Sequence, residues 1–184
     1  MSNIHPTAVV DGRAELHPSV VVGPYSVIGP DVKIGEGTKV GPHVVITGHT
    51  TIGRNNTFFQ FCSVGEAPQD LKYRGQPTTL EIGDGNLIRE FASIHRGTVE
   101  GGGVTRVGSR CLLASTTHVA HDVQIGNGVI MSSGAMLAGH VVVEDFVIFG
   151  GMAGIHQFVR IGRNAFISGG SMVGMDVPPF CTAS

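Results

Sequence analysis

The chain has 184 residues, 12 basic and 14 acidic side chains and a net charge of -2, so it carries no global basic field for nucleic acid. Tryptophan is absent and aromatics make up 6%, which argues against a core built around large rings. Glycine contributes 28 residues, about twice the usual share, and it recurs at fixed places.

At the N-terminus, MSNIHPTAVV has neither a basic stretch nor a long apolar run, so no secretory signal is expected. No segment reaches the ~18–20 apolar residues that cross a bilayer. From Ile4 onward an apolar residue returns every six positions: Val10, Leu16, Val22, Ile28, Ile34, Val40, Ile46, Ile52, Phe58 and Val64. The phase reappears at Ile82, Ile88 and Ile94, slips by one residue, and then runs from Val107 through Leu113, Val119, Leu137 and Ile155 to Val173. Four residues after most anchors sits a small or β-branched side chain, such as Ala8, Val44, Val123 or Ala153. Glycine often follows the anchor directly, as at Gly23, Gly35, Gly108 and Gly162, where a tight corner would call for permissive backbone.

Neither a 3.6-residue helix nor an alternating strand has a six-residue period. The spacing predicts a parallel β-helix with three short strands per coil of ~18 residues, anchors pointing inward and coils stacked at ~4.8 Å. It reads as a single domain over 1–184. Two segments break the register, Glu66 to Glu81 and Gly97 to Arg106, and are expected to protrude as loops. The first carries Asp70, Lys72, Tyr73 and Arg74; the second is rich in glycine. A solvated linker is the plain alternative for each. Cys62, Cys111 and Cys181 lie far apart without a CxxC pair, as free thiols in a reducing cytoplasm would.

None of the nine histidines occupies an inward position. His5, His17, His43 and His49 read as solvated surface. His121, His140 and His156 fall in hexads 18 residues apart, on one side of the prism in successive coils, and His118 leads into the first of them. His95 joins them if the second insertion is a simple bulge. Histidine is suited to proton transfer near neutral pH. Asp122 could orient His121, and the Gly139 N–H, one coil on, could stabilise an oxyanion.

The strings QDLKY, IHRGT, HVAHD, AGHV, GGMAGIHQF and DVPP, in that order, resemble the UDP-N-acetylglucosamine O-acyltransferases, and the repeat resembles the left-handed β-helix of hexapeptide acyltransferases. The resemblance implies an all-β, left-handed fold and transfer of an (R)-3-hydroxyacyl group from acyl carrier protein to the sugar 3-hydroxyl, the first step towards lipid A. It implies His121 as general base, Asp122 as its support and Gly139 as oxyanion donor. Asp70, Lys72 and His95 match positions that hold the sugar nucleotide; His118, His140, His156 and Gln157 match other substrate contacts. Gly169 suggests an open acyl groove. Neither metal nor cofactor is implied, and the partners are UDP-N-acetylglucosamine, the acyl carrier protein and two further copies in a cytoplasmic homotrimer. Members of the family continue past DVPP into a C-terminal helical region, which this sequence, ending at Ser184, does not include. The alternatives are a zinc enzyme like the γ-type carbonic anhydrases, using the same histidines, an N-acyltransferase of the same pathway, and a non-catalytic solenoid.

Overall fold

Residues six apart in sequence line the inside of a three-sided prism. The structure is a computed structural model that describes residues 3–184; Met1 and Ser2 lie outside the described residues. Its 26 strands, β1 (Val9–Val10) to β26 (Thr182–Ala183), are mostly two residues long. They form three parallel sheets in which every third strand is a neighbour. The register follows the predicted coil, with Val9 beside Val27 and Ile28 beside Ile46. Anchors such as Ile28, Ile46, Phe58, Ile94, Leu113, Leu137 and Phe149 are fully buried. Each contributes about 1.5–3 kcal/mol by leaving water, against neighbours of the same kind in the coils above and below.

The glycines that follow the anchors are there for a different reason from the one the sequence suggests. Gly23, Gly35, Gly108 and Gly162 do not have positive φ. A Cβ at Gly23 would lie 2.7 Å from the carbonyl carbon of Gly41, and one at Gly35 2.8 Å from the Gly53 oxygen. Close approach of stacked coils selects glycine there. The left-handed corner residues are instead mostly side-chain-bearing, among them Tyr25, Phe61, Asp122, His140 and Phe158.

Each sheet shows a distinct outer face. One presents Glu15, Lys33, Thr51, Glu81, Arg106, Gln124, Val142 and Arg160 along its ladder, with ion pairs Lys33–Glu15 at 2.9 Å and Arg106–Glu81 at 2.8 Å. The second is apolar in successive coils, from Leu87 through Leu112, Ile130 and Ile148 to Phe166. The third carries Ser63, Ser93, His118, Met136, Gly154 and Met172 in one row.

Both insertions leave this third, histidine-bearing face. The first runs from β10 (Ser63–Glu66) to β11 (Thr79–Ile82), the second from β13 (Ser93–His95) to β14 (Val104–Val107). Thr79 to Ile82 pair with Val104 to Val107, so strand pairing reaches into both segments where the hexad phase is already lost.

Candidate active site

The pairing of Ile94 with Val119, and of Val119 with Leu137 and Leu137 with Ile155, puts His95, His118, His121, His140 and His156 on one vertical strip. The second insertion therefore acts as a bulge that preserves the side. Beside the strip lies a cleft of about 520 Å³, lined by Gln69, His95, His118, His121, Gly139, His156 and Gln157 and by the apolar Met136, Leu137, Ile155, Met172 and Val173.

His121 and Asp122 stand at the corner after β16 (His118–Val119), with Asp122 in the left-handed region at φ 61°. The His121 Nδ1–H donates to Asp122 Oδ2 at 2.8 Å. This bond fixes the tautomer, leaving Nε2 as the ring's proton acceptor. The Asp122 carboxylate is almost wholly buried and needs partners to stay charged. Thr98, in the second insertion, supplies them: its N–H donates to Oδ1 at 2.8 Å and its hydroxyl to Oδ2 at 2.6 Å.

One coil on, Gly139 faces the ring of His121. A Cβ there would lie 2.6 Å from Cε1 and 2.8 Å from Nε2 of the imidazole. The Gly139 N–H donates to no acceptor among the described residues, and Gly139 and His121 both line the cleft. That arrangement can deprotonate a hydroxyl and stabilise the oxyanion formed when it adds to a carbonyl.

The remaining histidines divide. His95 is buried, and its Nδ1–H donates to the Ala67 carbonyl at 2.8 Å, tying the first insertion to the strip. His118 Nδ1 pairs with the Ser93 hydroxyl at 2.8 Å. Burial, with the charges His95 and His121 would add, holds the His118 ring below its ordinary value. His140 does not line the cleft; it stacks on Phe158 with centroids 4.5 Å apart, its Nδ1 3.8 Å from Asp122 Oδ2. His156 and Gln157 are exposed at the cleft rim.

Asp70 and Lys72 are not cleft-lining, although their neighbour Gln69 is; Asp70 Oδ1 accepts the Lys72 N–H at 2.9 Å. Gly169 also stands apart from the cleft, where a Cβ would have its nearest neighbour at the Gly151 oxygen, 3.3 Å away. The sequence pattern does not mark Arg96, whose guanidinium donates to the Gly65 carbonyl at 2.7 Å and the Tyr73 hydroxyl at 3.1 Å, clamping the first insertion. Its adjacency to His95 in IHRGT was the available signal. The sequence does not mark Thr98 either, since nothing in a glycine-rich insertion reveals which residue turns back onto Asp122.

His121, Asp122 and His140 bring potential ligand atoms within 4.8 Å of one another, a spacing that could gather a cation. Here both Asp122 oxygens already accept hydrogen bonds from Thr98 and His121, and the cluster is a hydrogen-bonded relay.

Hexapeptide coils with a strip of histidines on one face and an apolar cleft beside it fit a hexapeptide transferase, and the bacterial transferase hexapeptide family (six repeats) matches residues 13–48. The acyl-[acyl-carrier-protein]–UDP-N-acetylglucosamine O-acyltransferase of Herminiimonas arsenicoxydans is 55% identical over all of this chain and 70% of its own length. That of Anaeromyxobacter sp. (strain Fw109-5) is 59% identical over 98% of this chain and 70% of its own. The crystal structure of UDP-N-acetylglucosamine O-acyltransferase from Moraxella catarrhalis superposes with a TM-score of 0.96 at 43% identity, covering 98% of this chain and 70% of that one. The chain belongs to the acyl-[acyl-carrier-protein]–UDP-N-acetylglucosamine O-acyltransferase family, and its prism is the left-handed parallel β-helix expected from the repeat. These relatives do not favour the zinc-enzyme or N-acyltransferase alternatives.

Proposed function

We propose that this chain transfers an (R)-3-hydroxyacyl group from the thioester of acyl carrier protein to the 3-hydroxyl of UDP-N-acetylglucosamine, the first step of lipid A biosynthesis. The observation that carries this reading is the placement of His121 Nε2 against Gly139 with Nδ1 engaged by Asp122, in a chain whose relatives are O-acyltransferases. His121 Nε2 takes the hydroxyl proton as the sugar oxygen attacks the thioester carbon. The Gly139 N–H receives the oxyanion. Collapse breaks the C–S bond, and the imidazolium returns its proton to the departing carrier thiol. Asp122 steadies the imidazolium between the two transfers. This chemistry requires neither a metal nor a redox cofactor.

His95, His118, His156 and Gln157 edge the cleft and would contact substrate, while Asp70 and Lys72, on the loop that reaches it through Gln69, would meet the sugar nucleotide. The apolar floor of Met136, Gly154 and Met172 suits an acyl chain, running towards the corner that carries Gly169. His140 acts behind the cleft, against Asp122 and Phe158. The outward apolar row from Leu87 to Phe166 opposes an ion-paired face of the same prism. That contrast supports a homotrimer in which the apolar face is covered by a neighbour, closing the cleft. A carrier-protein donor and a nucleotide acceptor fit a cytoplasmic reaction, and no helix among the described residues is long and apolar enough to cross a membrane.

The reading is tested by incubating the protein with UDP-N-acetylglucosamine and a panel of hydroxyacyl carrier proteins, then locating the acyl group on the product by NMR. An ester at the sugar 3-oxygen supports it; an amide product, or no product with any donor, overturns it.

A further inference from the structure

The glycine-rich second insertion reaches back onto the Asp122 carboxylate through Thr98. Two imidazoles compete for Asp122 Oδ2. His121 Nδ1 is at 2.8 Å and His140 Nδ1 at 3.8 Å, the two rings packed edge to face with centroids 5.1 Å apart. A modest rotation of the carboxylate would exchange one partner for the other. Thr98 opposes that rotation by holding both oxygens at once, Oδ1 through its N–H and Oδ2 through its hydroxyl. Hydrogen bonds to a carboxylate are short and roughly twice as strong as neutral ones, and here they lie in a nearly water-free corner, where they count for more.

The surroundings close the clamp. Asp122 donates its own N–H to Thr105 Oγ1 at 2.8 Å, pinning the backbone from which the carboxylate projects. A Cβ at Gly97 would lie 2.8 Å from Oδ1, and one at Gly101 would collide with the carboxylate carbon. The insertion can therefore fold flat over Asp122 only with glycine at those two places. The Gly101 N–H in turn donates to the Thr98 hydroxyl oxygen at 3.1 Å, orienting the hydroxyl proton towards Asp122. The charged or titratable groups facing His121 are Asp122, His140 and His118, with His95 beyond His118.

We propose that Thr98 is a positioning residue for catalysis: by clamping the Asp122 carboxylate it assigns Oδ2 to His121 rather than to His140, and so holds the proton of the neutral His121 ring on Nδ1 with Nε2 aimed beside Gly139. The proposal rests on His121 being the base, but its geometric content is independent of the substrate.

The test compares Thr98→Val, which keeps the shape and the N–H, with Thr98→Ser, which restores the hydroxyl. In wild-type protein, proton NMR should show the Nδ1–H of His121 as a downfield resonance protected from exchange. In Thr98→Val that resonance is lost or broadened; in Thr98→Ser it returns. In the acyl-transfer assay Thr98→Val lowers kcat by about tenfold to a hundredfold, the order expected of a misplaced catalytic group, with KM for the sugar nucleotide unchanged and activity regained in Thr98→Ser. Thermal denaturation identifies any Thr98→Val preparation that is unfolded, and Gly101→Ala, which presses on the carboxylate while leaving Thr98 intact, then serves as the second variant with the same expected losses. An undisturbed His121 resonance and unchanged kcat in a folded variant would overturn the clamp. Loss of the resonance in a protein whose wild type transfers no acyl group would uphold the clamp and sink the proposed reaction instead.

Discussion

The imidazole of His121 occupies the space that a side chain at Gly139 would need, with Cε1 only 2.6 Å from where that Cβ would stand. Gly139 does not have positive φ, so room alone makes it glycine. Gly139→Ala keeps the N–H that would serve the oxyanion but pushes the His121 ring away from it. It should lower kcat by about a hundredfold while thermal stability changes little, as measured by steady-state kinetics beside thermal denaturation. An alanine variant with full activity would show that His121 and Gly139 do not act on one reacting centre.

His118 links acidity to stability. Its ring is held below the ordinary value near 6.5, first by burial and then by the neighbouring His95 and His121. The unfolded chain therefore binds this proton more readily than the folded one. The contribution to stability is intact above the ordinary value and is lost as pH falls below it, levelling off once the folded ring has also titrated. The urea midpoint should fall between about pH 7.5 and about pH 5.5, the range over which histidines titrate, and fall less in His118→Gln. Equal losses in the two proteins would assign the effect to other groups.

The three cysteines should differ in reactivity. Burial pushes the Cys62 thiol up to about 11 and raises Cys111 as well, whereas Cys181 is exposed. Thiolate, not thiol, reacts with a disulfide reagent. At about pH 8, near the ordinary cysteine value, Cys181 should be labelled in the folded protein and all three after denaturation. Rapid native labelling of Cys62 or Cys111 would mean that the prism opens at those coils.

The apolar face makes a prediction about assembly. Leu87, Ile130, Ile148 and Phe166 are exposed in a single chain and line up in neighbouring coils, a contiguous apolar row of the kind that marks an interaction surface. Light scattering should give three chains for the wild type. Ile130→Glu with Ile148→Glu should give one chain, folded, and, if a neighbouring chain walls the cleft, much reduced transfer activity. A wild-type monomer would remove the homotrimer.

Much of this was legible in the residues because a solenoid writes its structure in period. Anchors such as Ile28 and Leu137 must face inward once the step is six, and the step of 18 then places His121, His140 and His156 on one side. The outward apolar row was equally available, since Leu87, Ile130, Ile148 and Phe166 each precede an anchor. What the period does not encode is anything contributed by the two insertions. His95 and His121 look like surface residues by hexad position, yet both are buried. The Ala67 carbonyl closes on His95, and Asp122, itself held by Thr98, closes on His121. Likewise the corner glycines announce themselves in sequence, but only stacked coils reveal that close approach, not backbone freedom, selects them.

The decisive experiment is steady-state acyl transfer to UDP-N-acetylglucosamine by wild type and His121→Ala, with circular dichroism showing that both are folded. If His121 is the general base, its loss should lower kcat by about 10²–10⁴-fold and leave the β-helix and sugar-nucleotide binding in place. Wild-type turnover in a folded His121→Ala protein would mean that the proton is taken elsewhere, and that the strip of histidines holds substrate without performing the chemistry.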